Sequence, residues 1–415
     1  MNILEKITKK KNKNKYILSI DLGTKFVKAL VSYVDYEEDK IVNLGVGKSE
    51  QKKGSVVGGR ILNIEGVIES CKIAIEQASK MAEYLPSEAI IGFSGNTVRI
   101  STNSFEIQRE NPDKKIEPME LKKIIKSSYS RAMDTIDSGL SFREKQVGVN
   151  LISADVADFN IDGYRIINPL NFKGHKIKIS TSSSFVLSSD FEMINKIANG
   201  LNLQLIKIAY GPYAVLKAVG GQDSFNFNAV MIDVGGNITD VVVIKNGNIQ
   251  KADMFVLGGN IFTKRIANRL KVSEAKAEEI KINYSKKKLD EESAQAVEDI
   301  FVEDIDLWRS GVELVLEEYS KESLSPSLIL FYGGGSQLPN LASSLNELSK
   351  SSISFFGKIK LDFLNIGYIS DNEDRVKRLD NFQDITILAL SHMISDSINA
   401  EDIPNVFLEE ILFNK

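Results

Sequence analysis

The sequence predicts an α/β protein of at least two domains, and three observations carry that expectation. The chain has 415 residues, more than one ordinary core organises, because single domains usually run to about 100 to 200 residues. Strand-like apolar runs are interleaved with amphipathic helical stretches. Each half also opens alike: residues 16–34 and 231–244 both read as a strand, an Asp, a glycine-containing turn and a second strand, a weak duplication at domain scale.

The elements follow in order. YILSIDLGTKFVKALVSYV (16–34) alternates as a strand, turns at Gly23-Thr24 and returns as a hairpin. Within 64–85, Val67, Cys71, Ile75, Ala78 and Ala82 fall at helical spacing, and Pro86 stops the run. From 88 the character changes: AIIGFSGNTVRISTNSFEIQR reads as strands, 117–133 as a helix, and 146–169 as two strands joined through Asp162-Gly163. A strand resumes at 176–188, a helix covers 189–201, and 203–219 gives a strand, a turn and a helix start. After the 231–244 hairpin come a Gly258-Gly259 turn, a helix from about 260 and a strongly charged helical region over 271–322. A strand, turn and helix follow at 327–348, and ITILALSHMISDSI (385–398) closes as a helix.

Composition excludes several function classes. Lys+Arg 52 against Asp+Glu 56 leaves no nucleic-acid footprint on the chain as a whole. One cysteine, Cys71, and two distant histidines, His175 and His392, exclude an internal disulfide and argue against a nitrogen or sulfur metal site. No apolar run approaches the roughly 20 residues of a membrane span. The leader MNILEKITKKKNKNK has no long apolar core after its charges, so it does not read as a secretory signal, and a cytoplasmic protein is expected.

Three turns share one chemistry. SIDLGTK (19–25) and MIDVGGN (231–237) each end an apolar strand with Asp, one residue and Gly. A glycine turn lets backbone N–H groups approach phosphate oxygens because no Cβ intervenes, and the Asp suits a hydrated Mg²⁺, which prefers oxygen ligands. FYGGGSQLPN (331–340) runs from strand to helix through three glycines, which suits close packing under a flat base or ribose and an anion at the helix start. Singly, a D-x-G turn is more often a plain tight hairpin and GGG a plain loop; their order and strand context point to a nucleotide cleft. Asp240, further along the returning strand, reads as structural.

In these turns and their order the sequence resembles the actin, sugar kinase and Hsp70 superfamily, and within it most resembles the FtsA family of bacterial cell-division proteins. Four further stretches carry that likeness: LGVGKSEQKKGSVVGGRILNIEGVIESCKIAIEQASKMAE (44–83), AIIGFSGNTVRISTN (89–103), FNIDGYRIINPLNFKG (159–174) and the region from LGGNIFTKRIANRL to AEEIK (257–281). The resemblance runs from about 16 to 395. It implies an actin-like, ribonuclease H-like two-domain fold with a nucleotide cleft and a family-specific subdomain called 1C. The implied division is a basic tail at 1–15, subdomain 1A at 16–85 and 169–225, 1C at 86–168, 2A at 226–270 and 327–381, 2B at 271–326, a closing 1A helix at 382–398 and a C-terminal tail at 399–415.

By the same resemblance, ATP and Mg²⁺ are the expected cofactors. Asp21, Gly23, Thr24 and Lys25 would form the first phosphate hairpin, and Asp233, Gly235, Gly236 and Asn237 the second, with Asp21 and Asp233 toward the metal. Gly333, Gly334, Gly335 and Ser336 would lie beside adenosine; Glu278 and Lys281, one helical turn apart, would reach the ribose and adenine, near Gly259. Considered alone, Glu278 and Lys281 read as a solvated ion pair.

The chain departs from the family where Asn237 and Ile238 replace a glycine and a threonine, where Phe26 replaces a lysine beside Lys25, and where Gly211 precedes Pro212 in place of a water-orienting carboxylate. At most a slow ATPase is therefore expected. The implied partners are the acidic tail of FtsZ through 2B, further copies of the chain in filaments, other division proteins through 1C, and the cytoplasmic face of the membrane at the division site.

For FtsZ the basic candidates are Lys286, Lys287, Lys288 and Arg309, in place of the family's paired arginines. For the membrane there are two short apolar faces, Ile3, Leu4 and Ile7 before Lys9, Lys10, Lys11, Lys13 and Lys15, and Phe407, Leu408, Ile411 and Leu412 beside Glu409 and Glu410; a plain packed or disordered terminus is the competing reading of each. Two other functions stay open: an actin-like pilus-assembly protein of the PilM type, and a small-molecule kinase, for which Asp21 is the only obvious base.

Overall fold

Strands inside a covered sheet are buried on both faces, and the strands flanking the first turn are of this kind, with residues 17–20 and 27–34 all buried. Lys15–Leu22 and Phe26–Asp35 pair antiparallel around the Gly23 turn. In the computed structural model, which describes residues 15–95, 97–220, 226–379, 382–394 and 403–413, they lie at the centre of a six-stranded sheet. Its order is Gln204–Tyr210, Glu88–Phe93, Lys15–Leu22, Phe26–Asp35, Lys40–Glu50 and Asn372–Asp374. Gln204–Tyr210, Glu88–Phe93 and Lys15–Leu22 run parallel. The helix Ile64–Ala82, capped by the Asn63 side chain on the Gly66 N–H, lies directly on Lys40–Glu50. A Cβ at Gly47 would sit 1.9 Å from the Ala74 carbonyl and one at Gly45 2.1 Å from that of Ala78, so glycine is the residue this approach allows.

The second half repeats the topology. Its five-stranded sheet has the order Asn248–Phe255, Thr239–Lys245, Ala229–Val234, Leu328–Tyr332 and Lys360–Phe363. In each half the first three strands are antiparallel neighbours and the fourth pairs parallel with the first. The expected hairpin at 231–244 is present, with its turn at residues 235–238.

Each half carries one insertion. In the first, a four-stranded sheet of Val98–Gln108, Lys176–Leu187, Val149–Ile161 and Tyr164–Arg165 is covered by the helix Pro118–Gly139. This corrects the expected boundary of 86–168. Glu88–Phe93 belongs to the six-stranded sheet, and Lys176–Leu187 is the strand that holds the small sheet together. Nearness in sequence misled here: four residues separate Glu88–Phe93 from Val98–Gln108, yet the two lie in different sheets. In the second half the insertion is helical, Glu274–Ser285 and Glu291–Ser320, with the fully buried Trp308 packed against Phe255 and Phe331.

For each chain end the sequence leaves two readings open, a membrane face or a packed or disordered terminus. Lys15 begins the first strand and pairs with Glu88 at 3.8 Å; the basic leader up to residue 14, with the Ile3, Leu4 and Ile7 face, lies outside the described residues. The closing helix is Ile385–His392, and residues 395–398 of the expected span lie outside the described ones. The C-terminal segment forms a helix, Ile403–Phe413; of its apolar face, the Leu412 side chain lies outside the described ones. Phe407 and Leu408 are buried against the small sheet and the Pro118–Gly139 helix, with Val406 and Ile411 beside them. Asn405 holds the edge of that sheet, accepting the Val156 N–H at 2.6 Å and donating to the Val156 carbonyl at 3.2 Å.

Candidate nucleotide site

The two duplicated hairpins meet at the seam between the halves. The first is stiffened by Gln51, which donates its side-chain N–H to the Gly23 carbonyl at 3.2 Å and its backbone N–H to Lys25 at 2.8 Å. The second closes through Gly235 N–H to Ile238 O at 2.9 Å. Its outer carbonyls, Gly235 and Gly236, accept the N–H groups of Gly259 and Asn260 at the start of the helix Gly259–Leu270, at 2.9 and 2.8 Å.

At the seam's floor stand Asp21 and Asp233, the penultimate residues of the two first strands. Both keep some solvent exposure, but the surrounding protein disfavours their charge. Burial raises Asp21 to about 6, with Lys28 opposing and Asp384 adding to the rise. Burial and then the charge of Asp21 raise Asp233 to about 7, while Lys28 and the Thr386 hydroxyl hold it back. Carboxylates that repel each other in this way are relieved by a cation. The pair therefore fits a hydrated Mg²⁺, which takes one or two carboxylates and keeps its water; among the described residues no group of three or more His, Cys, Asp or Glu forms a fuller metal cage.

The expected adenosine residues gather above that floor. Gly333, at φ 88°, lets the chain pass Asp233: a Cβ there would lie 2.2 Å from Asp233 Oδ1. A Cβ at Gly335 would meet Val234, and one at Gly259 would lie 3.5 Å from Gly335 Cα, while Gly334 faces open space apart from Gln383. Ser336 is fully buried and donates its hydroxyl back to the Gly333 carbonyl at 2.7 Å, so it fastens the turn. Glu278 and Lys281 pair at 2.8 Å, and Lys281 also donates to the Gly259 carbonyl and Thr263 Oγ1 at 2.8 and 2.7 Å. This is a partly buried network, not the solvated pair that spacing alone suggests. Burial alone would lift the Glu278 carboxyl, but Lys281, Thr263 and Lys25 hold it at about 2.

Several residues of this seam escaped the sequence reading. Lys28, buried, pairs with the buried Asp384 at 3.2 Å and donates to the Gln383 carbonyl. Lys48 donates to Gln383 Oε1 at 2.9 Å, and Gly333 N–H donates to Phe382 O at 3.0 Å. Tyr210 donates its hydroxyl across the halves to Asp240 at 3.1 Å, which gives the structural reading of Asp240 a partner. A lysine in the otherwise apolar strand FVKALVSYVD and an aspartate just before ITILALSH were the available signals. At Gly211 a Cβ would meet Ser94 Oγ at 3.0 Å and Thr386 Cγ2 at 3.2 Å, so the place of the absent carboxylate is itself tightly packed.

A family model described as "Cell division protein FtsA" matches residues 230–372. The cell division protein FtsA of Bacillus subtilis (strain 168) is 24% identical over 366 residues, covering 82% of this chain and 78% of that protein. That of Neisseria meningitidis serogroup B is 28% identical over 273 residues, covering 65% of this chain and 61% of that one. Over most of its length the chain is similar to FtsA proteins. Among solved structures, the "PilM-PilN type IV pilus biogenesis complex" superposes with a TM-score of 0.62 at 16% identity, over 91% of this chain and 98% of that one, a likeness of fold alone. The fold is the actin-like one, α/β with duplicated halves. Among the described residues no helix is long and apolar enough to cross a membrane.

Proposed function

We propose that this chain is an FtsA-type cell-division scaffold that binds ATP with Mg²⁺ in the cleft between its halves and ties FtsZ to the cytoplasmic face of the membrane. The observation that carries the nucleotide part is the convergence of Asp21 and Asp233, two glycine hairpins and the Gly333–Gly335 turn on one seam. In this reading Asp21 and Asp233 orient the waters of the metal, which neutralises phosphate charge. Lys25 and the hairpin N–H groups face the phosphates, and Glu278, Lys281, Gly259 and the 333–336 turn border the nucleoside. Gly211 offers no side chain to orient an attacking water, so turnover is slow and the bound nucleotide mainly governs assembly into filaments.

The FtsZ contact is assigned to the helical insertion of the second half. Its outer helix exposes Val302, Leu307 and Leu314, and the exposed Lys286, Lys287 and Lys288 form the turn before it. Arg309 is engaged with Asp306 at 2.9 Å, which favours the lysines for an acidic tail. The small sheet at 98–187 is the surface left for other division proteins. Membrane contact through the C-terminal helix requires Phe407 and Leu408 to leave their packed site; the basic leader carries no such requirement in its sequence.

The test is co-sedimentation with anionic lipid vesicles and FtsZ, with and without magnesium ATP. It compares the full chain with versions lacking residues 1–14 or 404–415. The proposal expects the full chain to pellet and bring FtsZ with it, with the larger loss on removing 1–14. A chain that neither pellets nor retains FtsZ under any nucleotide condition overturns it. The fold likeness to the pilus complex keeps one rival: retention of the short cytoplasmic tail of a pilus membrane protein, and not of FtsZ, selects a PilM-type role.

A further inference from the structure

The hairpins that should grip a phosphate chain from two sides instead grip each other. Asn237 donates its backbone N–H to Thr24 Oγ1 at 3.0 Å and its side-chain N–H to the Thr24 carbonyl at 3.3 Å. Its side-chain oxygen is itself held by Asn260 Nδ2 at 2.9 Å. The two turns are in van der Waals contact, since a Cβ at Gly236 would lie 2.5 Å from Lys25 Cβ. Above them Lys25 Nζ crosses the seam to Glu278 Oε1 at 2.9 Å, on the carboxylate that Lys281 and Thr263 also hold.

Two donors at the helix start beside the second hairpin are already used. The N–H groups of Gly259 and Asn260, which carry the positive end of their helix, are bonded to Gly235 and Gly236. A Cβ at Gly258 would lie 2.7 Å from the Gly235 carbonyl, so no gap opens behind the second hairpin. The carboxylate floor fits a cation; the space between the hairpins does not fit a phosphate chain in this conformation.

We propose that Asn237, Thr24, Lys25 and Glu278 form a latch that holds the two halves of this chain closed by its own side chains, without nucleotide. Asn237 is the part particular to this chain, because a glycine there has no side chain to span to Thr24 and Asn260. Lys25 bonds to Glu278 when the latch is shut and becomes free for an anion when it opens. Two ammonium groups, those of Lys25 and Lys281, share the one carboxylate of Glu278, so opening exposes net positive charge. It follows that nucleotide binds only at the expense of the latch, a consequence that rests on the nucleotide reading above, whereas the closure itself does not.

The experiment uses the full chain, free of nucleotide and magnesium, and the variants Asn237→Ala and Glu278→Gln. Each is checked for a wild-type circular dichroism spectrum. Amide hydrogen exchange reads the Asn237 N–H, small-angle scattering reads closure, and titration with a fluorescent ATP analogue plus magnesium reads affinity. The wild-type amide is expected to be protected and both variants to exchange faster and scatter as a larger particle. Removing one or two hydrogen bonds of this kind should tighten nucleotide binding about tenfold in Asn237→Ala. An unprotected wild-type amide, or variants no looser than wild type while nucleotide binds equally to all, overturns the latch and leaves the nucleotide reading standing. Looser variants with no nucleotide binding by any chain keep the latch and remove the nucleotide reading.

Discussion

The two halves share a strand order but differ in how each meets its neighbour. In the first, an α-helix lies on glycines 45 and 47 of the third strand, and the insertion is a second sheet. In the second, the insertion is a pair of helices anchored by one large aromatic residue, with Trp308 donating its indole N–H to Thr239 at 2.9 Å beside the hairpin. The turns differ as well. The first spans residues 23–25 and the second 235–238, and the extra length brings Asn237 onto Thr24. Duplication therefore supplies the symmetric floor of two aspartates, and the asymmetric parts decide what can stand above it.

The comparison is broken most severely at Trp308. Trp308→Ala removes a fully buried ring and the donor to Thr239, a change expected to destabilise the chain by about 3–5 kcal/mol. Chemical denaturation should show that loss, and limited proteolysis should place the first cuts in the second half. A loss below about 1 kcal/mol would mean that the second half does not depend on this anchor.

Gly47→Ala attacks the matching point in the first half. Its Cβ would overlap the Ala74 carbonyl at 1.9 Å, so the helix must lift from the sheet at a cost of about 1–3 kcal/mol. Thermal unfolding measures this directly. An unchanged midpoint would show that the helix and strand are less tightly opposed than the geometry requires.

A smaller effect separates the seam from both halves. Glu278 is depressed from an ordinary value of 4.5 to about 2, so its stabilisation is complete above pH 4.5 and is lost as pH falls toward 2. The stability difference between wild type and Glu278→Gln should therefore shrink through that window. Urea midpoints measured across it provide the check, and a difference independent of pH would show that Glu278 is not held by Lys25 and Lys281.

Much of this was legible in the sequence because periodicity reports burial. The hairpin around Gly23, the hairpin at 231–244, the helix from 64 and the GGG turn were all readable from apolar runs and glycines. Sheet membership was not, since Glu88–Phe93 and Val98–Gln108 are adjacent in sequence and lie in different sheets, and strand pairing at long range leaves no local mark. At the site, the residue types on the turns were readable. Lys28, Asp384 and Tyr210 were not, because each acts through a partner distant in the chain. Phe407 and Leu408 formed a legible apolar face, but nothing in an amphipathic pattern says whether lipid or protein covers it.

The most direct test of a magnesium-dependent nucleotide seam is calorimetric titration of ATP into the wild-type chain and into Asp233→Asn, each with magnesium and with a chelator. The wild type is predicted to bind one ATP per chain with an affinity that falls when magnesium is removed, and Asp233→Asn to lose that dependence. Wild-type chain that takes up no ATP, or an Asp233→Asn chain whose magnesium dependence is unchanged, would contradict the assignment of the two aspartates.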